Sequence, residues 1–215
     1  MPAWRTVADA TGIRPGTALL DVGCGTGEFC ALAATWGAEA HGLDADRQRV
    51  EQARARAPGA DVRAGLMESL PWPDDSFDVV TGFNAFQYAV DVDLALAEAR
   101  RVLRPGGRIA ICKWASAEHN ELFALLAALR GRGIDRAGSD PIDAAVRRAG
   151  LDTHAIGEVP VEIVMRDDAA LRDAVTAAGA PPATGERLAP AAAPFRRADG
   201  SYGFTNRFSY RVLRT

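Results

Sequence analysis

"LLDVGCGTGEF", residues 19–29, governs how the rest of the chain is read. An apolar run reaches Asp21 and Val22, and Gly23, Gly25 and Gly27 then alternate with other residues before an apolar helical pattern begins. Glycine has no Cβ, so its backbone turns tightly, adopts positive φ and approaches a ligand closely. The stretch predicts a strand, a glycine turn and a helix, with the turn facing a ligand.

The ligand class follows from what the turn lacks. A dinucleotide fingerprint, GxGxxG, would put its third glycine where Glu28 stands. An acid at the start of the helix opposes a pyrophosphate there. A P-loop would need lysine and serine or threonine after the glycine, and the chain reads Gly27-Glu28-Phe29. The turn suits a ligand with no phosphate at this place. Downstream, "HGLDAD" contains Asp44, whose carboxylate can accept hydrogen bonds from two neighbouring ribose hydroxyls. Its alternative role is to cap the helix "DRQRVEQARARA", a role Asp46 can fill instead.

Outward from the turn, short β-branched runs alternate with helical patterns. "ALLDV", "AEAHGL", "ADVRA", "FDVVTGF" and "GRIAICKW" read as strands, and "FCALAATWG", "DRQRVEQARARA" and "DLALAEARRVL" as the helices between them. This rhythm predicts an α/β fold, a mostly parallel sheet with helices on both faces. "HNELFALLAAL" and "DPIDAAVRRAG" read as further helices, the second with Pro141 near its start and Gly150 at its end. "THAIGEVPVEIVM" reads as a strand, "AALRDAVTAAG" and "GERLAPAAA" as short helices, and "SYGFTNRFSYRVLRT" as a closing strand. The last strands lack a crossover helix pattern, which predicts an antiparallel strand at the end of the sheet. The N-terminal "AWRTVADATG" makes one helix and leaves little material for a lid.

With 215 residues, the expectation is a single domain spanning 1–215. The 25 basic and 28 acidic residues leave a net charge of -3, so no global field recruits nucleic acid or an anionic membrane. No apolar run approaches the roughly 20 residues that cross a bilayer, and "MPAWRTVADA" lacks a signal-peptide core. Cys24, Cys30 and Cys112 form no metal-ligand spacing and read as small apolar fillers in a reducing compartment, so the expectation is a cytoplasmic protein without a metal. The Ala- and Arg-rich composition, with Lys113 the only lysine, matches a GC-rich bacterial genome.

Four ordered motifs, "LLDVGCGTGEF", "GLDAD", "ESLPWPDDSFDVV" and "RRVLRPGGRIAI", together resemble the class I S-adenosylmethionine-dependent methyltransferases. The nearest branch is that of the ubiquinone and menaquinone biosynthesis enzymes (type 11). The resemblance runs from about Ala18 to Trp114, and the final strand "DGSYGFTNRFSYRVLRT" also looks like that of bacterial members. It implies a Rossmann-like three-layer sandwich with strand order 3-2-1-4-5-7-6 and strand seven antiparallel. It implies S-adenosyl-L-methionine as cofactor. Gly23, Gly25 and Gly27 would line its methionine part, Asp21 would orient the turn and reach the amino group, and Asp44 would hold the ribose. Leu66 and Met67 would flank adenine, and Gly82 and Phe83 would offer backbone atoms to the methionine end. Two positions depart from the family. Leu66 stands where an aspartate often accepts from the adenine amino group, and Gln87 and Tyr88 stand where a histidine is frequent.

Methyl transfer from a sulfonium is an in-line displacement with a good leaving group, so alignment and exclusion of water do most of the work. A base is needed only for a weakly nucleophilic acceptor. No base stands out, and Asn84, Gln87, Tyr88 and His119 are the candidates for positioning an acceptor; the first three also read as loop residues packed behind strand four, and His119 as the exposed first turn of the helix "ELFALLAALR". His41 and His154 read as structural. The expected function is methyl transfer to the O, N or C atom of a small-molecule acceptor, in a setting such as bacterial secondary metabolism. A homo-oligomer is compatible with it. The rival is a protein of this fold that binds the cofactor without transferring a methyl. A nicotinamide oxidoreductase is disfavoured by Glu28. Nucleic-acid methylation is disfavoured because "GFNAFQY" is not an NPPY-type tetrad.

Overall fold

The computed structural model describes residues 2–131, 141–179 and 185–214. In chain order the elements are α1 (Pro2–Thr11), β1 (Ala18–Val22), α2 (Glu28–Thr35), β2 (Glu39–Asp44), α3 (Arg47–Arg56), β3 (Asp61–Ala64), β4 (Phe77–Phe83) and α4 (Val92–Arg101). There follow β5 (Leu103–Trp114), α5 (Glu121–Leu129), α6 (Pro141–Arg148), β6 (Asp152–Met165), α7 (Asp168–Ala177), α8 (Gly185–Ala192) and β7 (Tyr202–Arg214). Asp140 and Thr215, the ends of two expected elements, lie outside the described residues.

The strands form one seven-stranded sheet of order β3-β2-β1-β4-β5-β7-β6, with β7 antiparallel. β1 runs parallel to β2 on one side and to β4 on the other, pairing Asp21 with Gly42 and with Thr81. The chain divides into two compact units, one of residues 1–113, 139–157 and 209–215, the other of residues 114–138 and 158–208.

The first unit has a layered core. Along β1, Leu19 packs with Phe29 and Ala33 of α2, whereas Leu20 and Val22 pack with Leu96 and Ala99 of α4 and Val146 of α6. A strand covered on both faces reads as a continuous apolar run, which is why "ALLDV" has no polar alternation apart from Asp21. Fully burying each such leucine or valine contributes about 1.5–3 kcal/mol. Aspartates start the helices: Asp46 accepts from the Gln48 and Arg49 amides at α3, and Asp91 from the Asp93 and Leu94 amides at α4. The second unit has its own core of Leu125 and Leu129 from α5, Leu171 and Val175 from α7, Leu188 from α8 and Phe204 from β7.

The corner between α4 and β5 differs most from the sequence reading. α4 stops at Arg101 rather than running to Leu103, and β5 begins at Leu103, which pairs with Phe77 ahead of an irregularity in the ladder. Val102 and Leu103 are both buried, Arg104, Pro105 and Gly106 are exposed, and the strand is buried again from Gly107. Arg101 holds this corner. Its guanidinium donates to the carbonyls of Leu70 and Trp72 and pairs with Glu98 and Asp74, while Glu98 also accepts from the Leu70 amide. Two of the four sequence motifs are thereby tied to each other, in a structural role.

Candidate functional site

In a parallel sheet, ligands bind beyond the carboxyl ends of the strands, where the strand order reverses. Here that point lies between β1 and β4, and a cleft of ≈ 280 Å³ opens in the first unit beside it. It is lined by Gly23, Asp44, Ala45 and Arg49, by Leu66, Met67 and Glu68 after β3, and by Asn84, Ala85, Tyr88 and Val90 after β4.

Asp44 ends β2 and is 8% exposed. It is not the helix cap; Asp46 is. Its Oδ2 accepts from the Gly25 amide at 2.8 Å and its Oδ1 from the Asp46 amide at 2.9 Å. Each carboxylate oxygen carries two lone pairs, so one on each remains for a further donor. The carboxylate thus braces the glycine turn and still presents acceptors to the cleft.

The three turn glycines have positive φ, 70° at Gly23, 57° at Gly25 and 80° at Gly27. Their reasons for being glycine differ. A Cβ on Gly23 would lie 2.6 Å from the Ala85 Cβ, and one on Gly27 would lie 2.8 Å from the Ala53 Cβ. A Cβ on Gly25 would meet nothing within 4 Å. Gly23 and Gly27 are required by protein packing, and only Gly25 faces open space. Gly82 is likewise a packing glycine, since its Cβ would fall 2.6 Å from the Phe86 ring. The Phe83 ring packs tilted against Phe29, centroids 4.6 Å apart.

Asp21 is 2% exposed and accepts a hydrogen bond from Thr81 Oγ1 at 2.7 Å. Burial pushes its pKa up to about 7; the Thr81 hydroxyl opposes this, and the Asp44 and Glu28 charges add to it. Thr81 was not singled out by sequence reasoning; its signal is only that a polar residue interrupts an otherwise apolar strand. Glu28 opens α2, and its Oε1 accepts from Thr26 Oγ1 and from Arg56. Burial raises its pKa, but the Thr26 hydroxyl, the backbone and Arg56 together hold it below the ordinary value.

A raised carboxyl pKa sets the sign of two pH effects. Below the unfolded value of about 4 Asp21 is protonated in both states. As pH rises from there through about 7, the unfolded chain ionises first and stability falls. Asp21→Asn is therefore expected to raise the urea midpoint at pH 8 and to leave it nearly unchanged at pH 4. The gain is on the order of 4 kcal/mol at most, about 1.4 kcal/mol per decade of shifted acidity. A ligand amino group favours the ionised form, so S-adenosylhomocysteine should bind wild type more weakly as pH falls below 7, and Asp21→Asn should bind weakly throughout. Calorimetry from pH 6 to 8 checks this; a flat wild-type profile would mean that Asp21 faces no cation.

The other candidates are distributed as follows. Asn84 follows β4 with φ 52°, its amide donating to the Cys112 carbonyl, and its Oδ1 accepts from Gln87 Nε2 at 3.3 Å. Gln87 is exposed, and Tyr88 stands at the cleft mouth. His119 lies in the second unit, where Nδ1 is 3.1 Å from Glu158 Oε1. His41 packs edge-on against Phe77 within the first unit. All three cysteines are buried, and among the described residues no His, Cys, Asp or Glu group could hold a metal.

Residues 20–111 match the Methyltransf_11 family, a methyltransferase domain. The 27-O-demethylrifamycin SV methyltransferase of Amycolatopsis mediterranei is 36% identical over 159 residues, 68% of this chain and 58% of that protein. The demethylmenaquinone methyltransferase of Renibacterium salmoninarum is 36% identical over 110 residues, 51% of this chain and 46% of that protein. The chain spans about half the length of these curated relatives. The crystal structure of YcgJ from Bacillus subtilis superimposes with a TM-score of 0.68 at 22% identity, covering 99% of this chain and 97% of that one, a likeness of fold. Residues 20–111 thus match a methyltransferase domain, and this part of the chain is similar to S-adenosylmethionine-dependent enzymes of the ubiquinone and menaquinone branch.

Proposed function

We propose that the protein transfers a methyl group from S-adenosyl-L-methionine to a small-molecule acceptor, with both compact units serving one methyltransferase domain. The observation that carries this is Asp44, a nearly buried carboxylate that braces the Gly25 amide while keeping acceptors for a ribose. Gly25, with open space where its Cβ would be, would lie against the methionine part, and Asp21 would balance the ligand's amino group. Gly23, Gly82 and Phe83 would serve through backbone atoms, and Leu66 and Met67 would flank adenine. When bound, the cofactor supplies an electrophilic methyl on a sulfonium. The chain's own part is to hold ribose and methionine, to align the acceptor and to keep water out.

The relatives named for rifamycin and menaquinone methylation support a small, non-macromolecular acceptor. Among the described residues lining the cleft there is no histidine or lysine. This supports catalysis by orientation, with Asn84 and its partner Gln87 as positioning residues. No helix among the described residues is long and apolar enough to cross a membrane, which agrees with action in the cytoplasm.

Calorimetry with S-adenosylhomocysteine and with NAD tests the cofactor. Binding of the first and none of the second is expected; tight NAD binding with no response to S-adenosylhomocysteine would overturn the assignment. Turnover with a panel of phenol, amine and carboxylate acceptors then separates transfer from binding alone.

A further inference from the structure

Part of the cleft lining is not explained by the braced turn. With methionine at Gly23 and ribose on Asp44, the lining left for the base is Leu66, Met67, Glu68, Tyr88 and Val90. This end of the site is unusually apolar for a surface. Leu66 is 58% exposed, Tyr88 75% and Val90 94%. Exposed apolar side chains gathered on the mouth of a cleft mark a surface that a ligand covers. The segment that carries Tyr88 and Val90 is pinned to this end by Glu68, whose Oε1 accepts from the Val90 amide at 2.7 Å and the Asp91 amide at 3.3 Å. Glu68 immediately follows Leu66 and Met67, so one carboxylate holds both sides of the end together.

We propose that this chain binds the nucleobase of its cofactor by apolar and aromatic contact between Leu66 and Tyr88, without reading the exocyclic amino group, and therefore accepts cofactors altered at purine C6. The inference rests on the cofactor reading above. Leu66 has no acceptor to offer the amine, and Oε1 of Glu68 is taken by the Val90 and Asp91 amides. Every purine presents a π-face, so stacking on Tyr88 is indifferent to the C6 substituent. Glu68 is a positioning residue that sets the aromatic segment over the base. Tyr88, considered from sequence as an acceptor-positioning residue, is thereby assigned to the cofactor.

The test is calorimetry with S-adenosylhomocysteine and its 6-deamino purine analogue, which keeps N1 as an acceptor and deletes only the amine. Wild type is expected to bind the pair with dissociation constants within about threefold, less than the roughly three- to tenfold of a hydrogen bond. A preference above tenfold for the amine would overturn the proposal. Leu66→Asp, at an exposed position, should tighten S-adenosylhomocysteine by about three- to tenfold and leave the analogue unchanged. An unaltered ratio in that variant would show that position 66 does not face the base. Tyr88→Ala should weaken both ligands alike by about fivefold or more; equal affinities with wild type would remove Tyr88 from the site. Failure of wild type to bind S-adenosylhomocysteine at all would instead defeat the cofactor reading itself, a distinct outcome.

Discussion

Asp44→Ala is expected to weaken S-adenosylhomocysteine binding by a hundredfold or more. Two hydrogen bonds from ribose hydroxyls to a charged acceptor are lost, each about 1.5–3 kcal/mol, and each 1.4 kcal/mol is about tenfold. The structure adds a second consequence. The same carboxylate accepts from the Gly25 and Asp46 amides, so its removal leaves both donors unpaired at a mostly buried place. A stability loss of about 1–3 kcal/mol should accompany the loss of affinity. Urea unfolding and calorimetry on one preparation measure both. A stability loss with an unchanged dissociation constant would mean that Asp44 only braces the turn.

Gly25→Val is expected to abolish detectable binding while the protein stays folded. Its φ of 57° is the left-handed region, which a β-branched residue occupies only with strain of about 1–3 kcal/mol. No protein atom lies within 4 Å of the added Cβ, so the substitution overlaps no part of the protein at that carbon. What it takes away is open space beside Asp44, which the proposal gives to the ligand. Gly25→Ala serves as the graded control, with the same sense of strain and less bulk. The two glycines flanking it would answer differently. A Cβ on Gly23 or Gly27 collides with Ala85 or Ala53, so changes there act on the fold first. Normal binding by Gly25→Val would show that the turn does not approach the ligand.

The order of strands and helices was largely legible in the sequence because it depends on periodicity and local chemistry. β4 fell where the run "FDVVTGF" placed it, and Asp46 capped α3 as an aspartate before a helical pattern should. The antiparallel last strand followed from the missing crossover helix. Local signals were weaker at the corner between α4 and β5, because Val102 and Leu103 continue the apolar pattern of the helix although the helix has ended at Arg101.

The reasons behind the site residues were not legible, because they depend on partners that crossover connections bring from elsewhere in the chain. A glycine-rich turn announces itself, but only the positions of Ala85 and Ala53 separate packing glycines from the one that opens on empty space. Asp21 was visible as an acid after an apolar run; its raised pKa comes from burial, which outweighs the hydrogen bond from Thr81, its lateral neighbour in the sheet. The same holds for Glu68, whose hold on the Val90 amide ties the loops after β3 and β4 together. The sequence by itself determined the residue types, the periodicities and hence the layered α/β class. Tertiary structure alone decided which carboxylate braces the turn, which one has a raised pKa and which glycine opens on empty space, since hydrogen bonding, burial and steric contact are properties of pairs of residues and not of either residue in the chain.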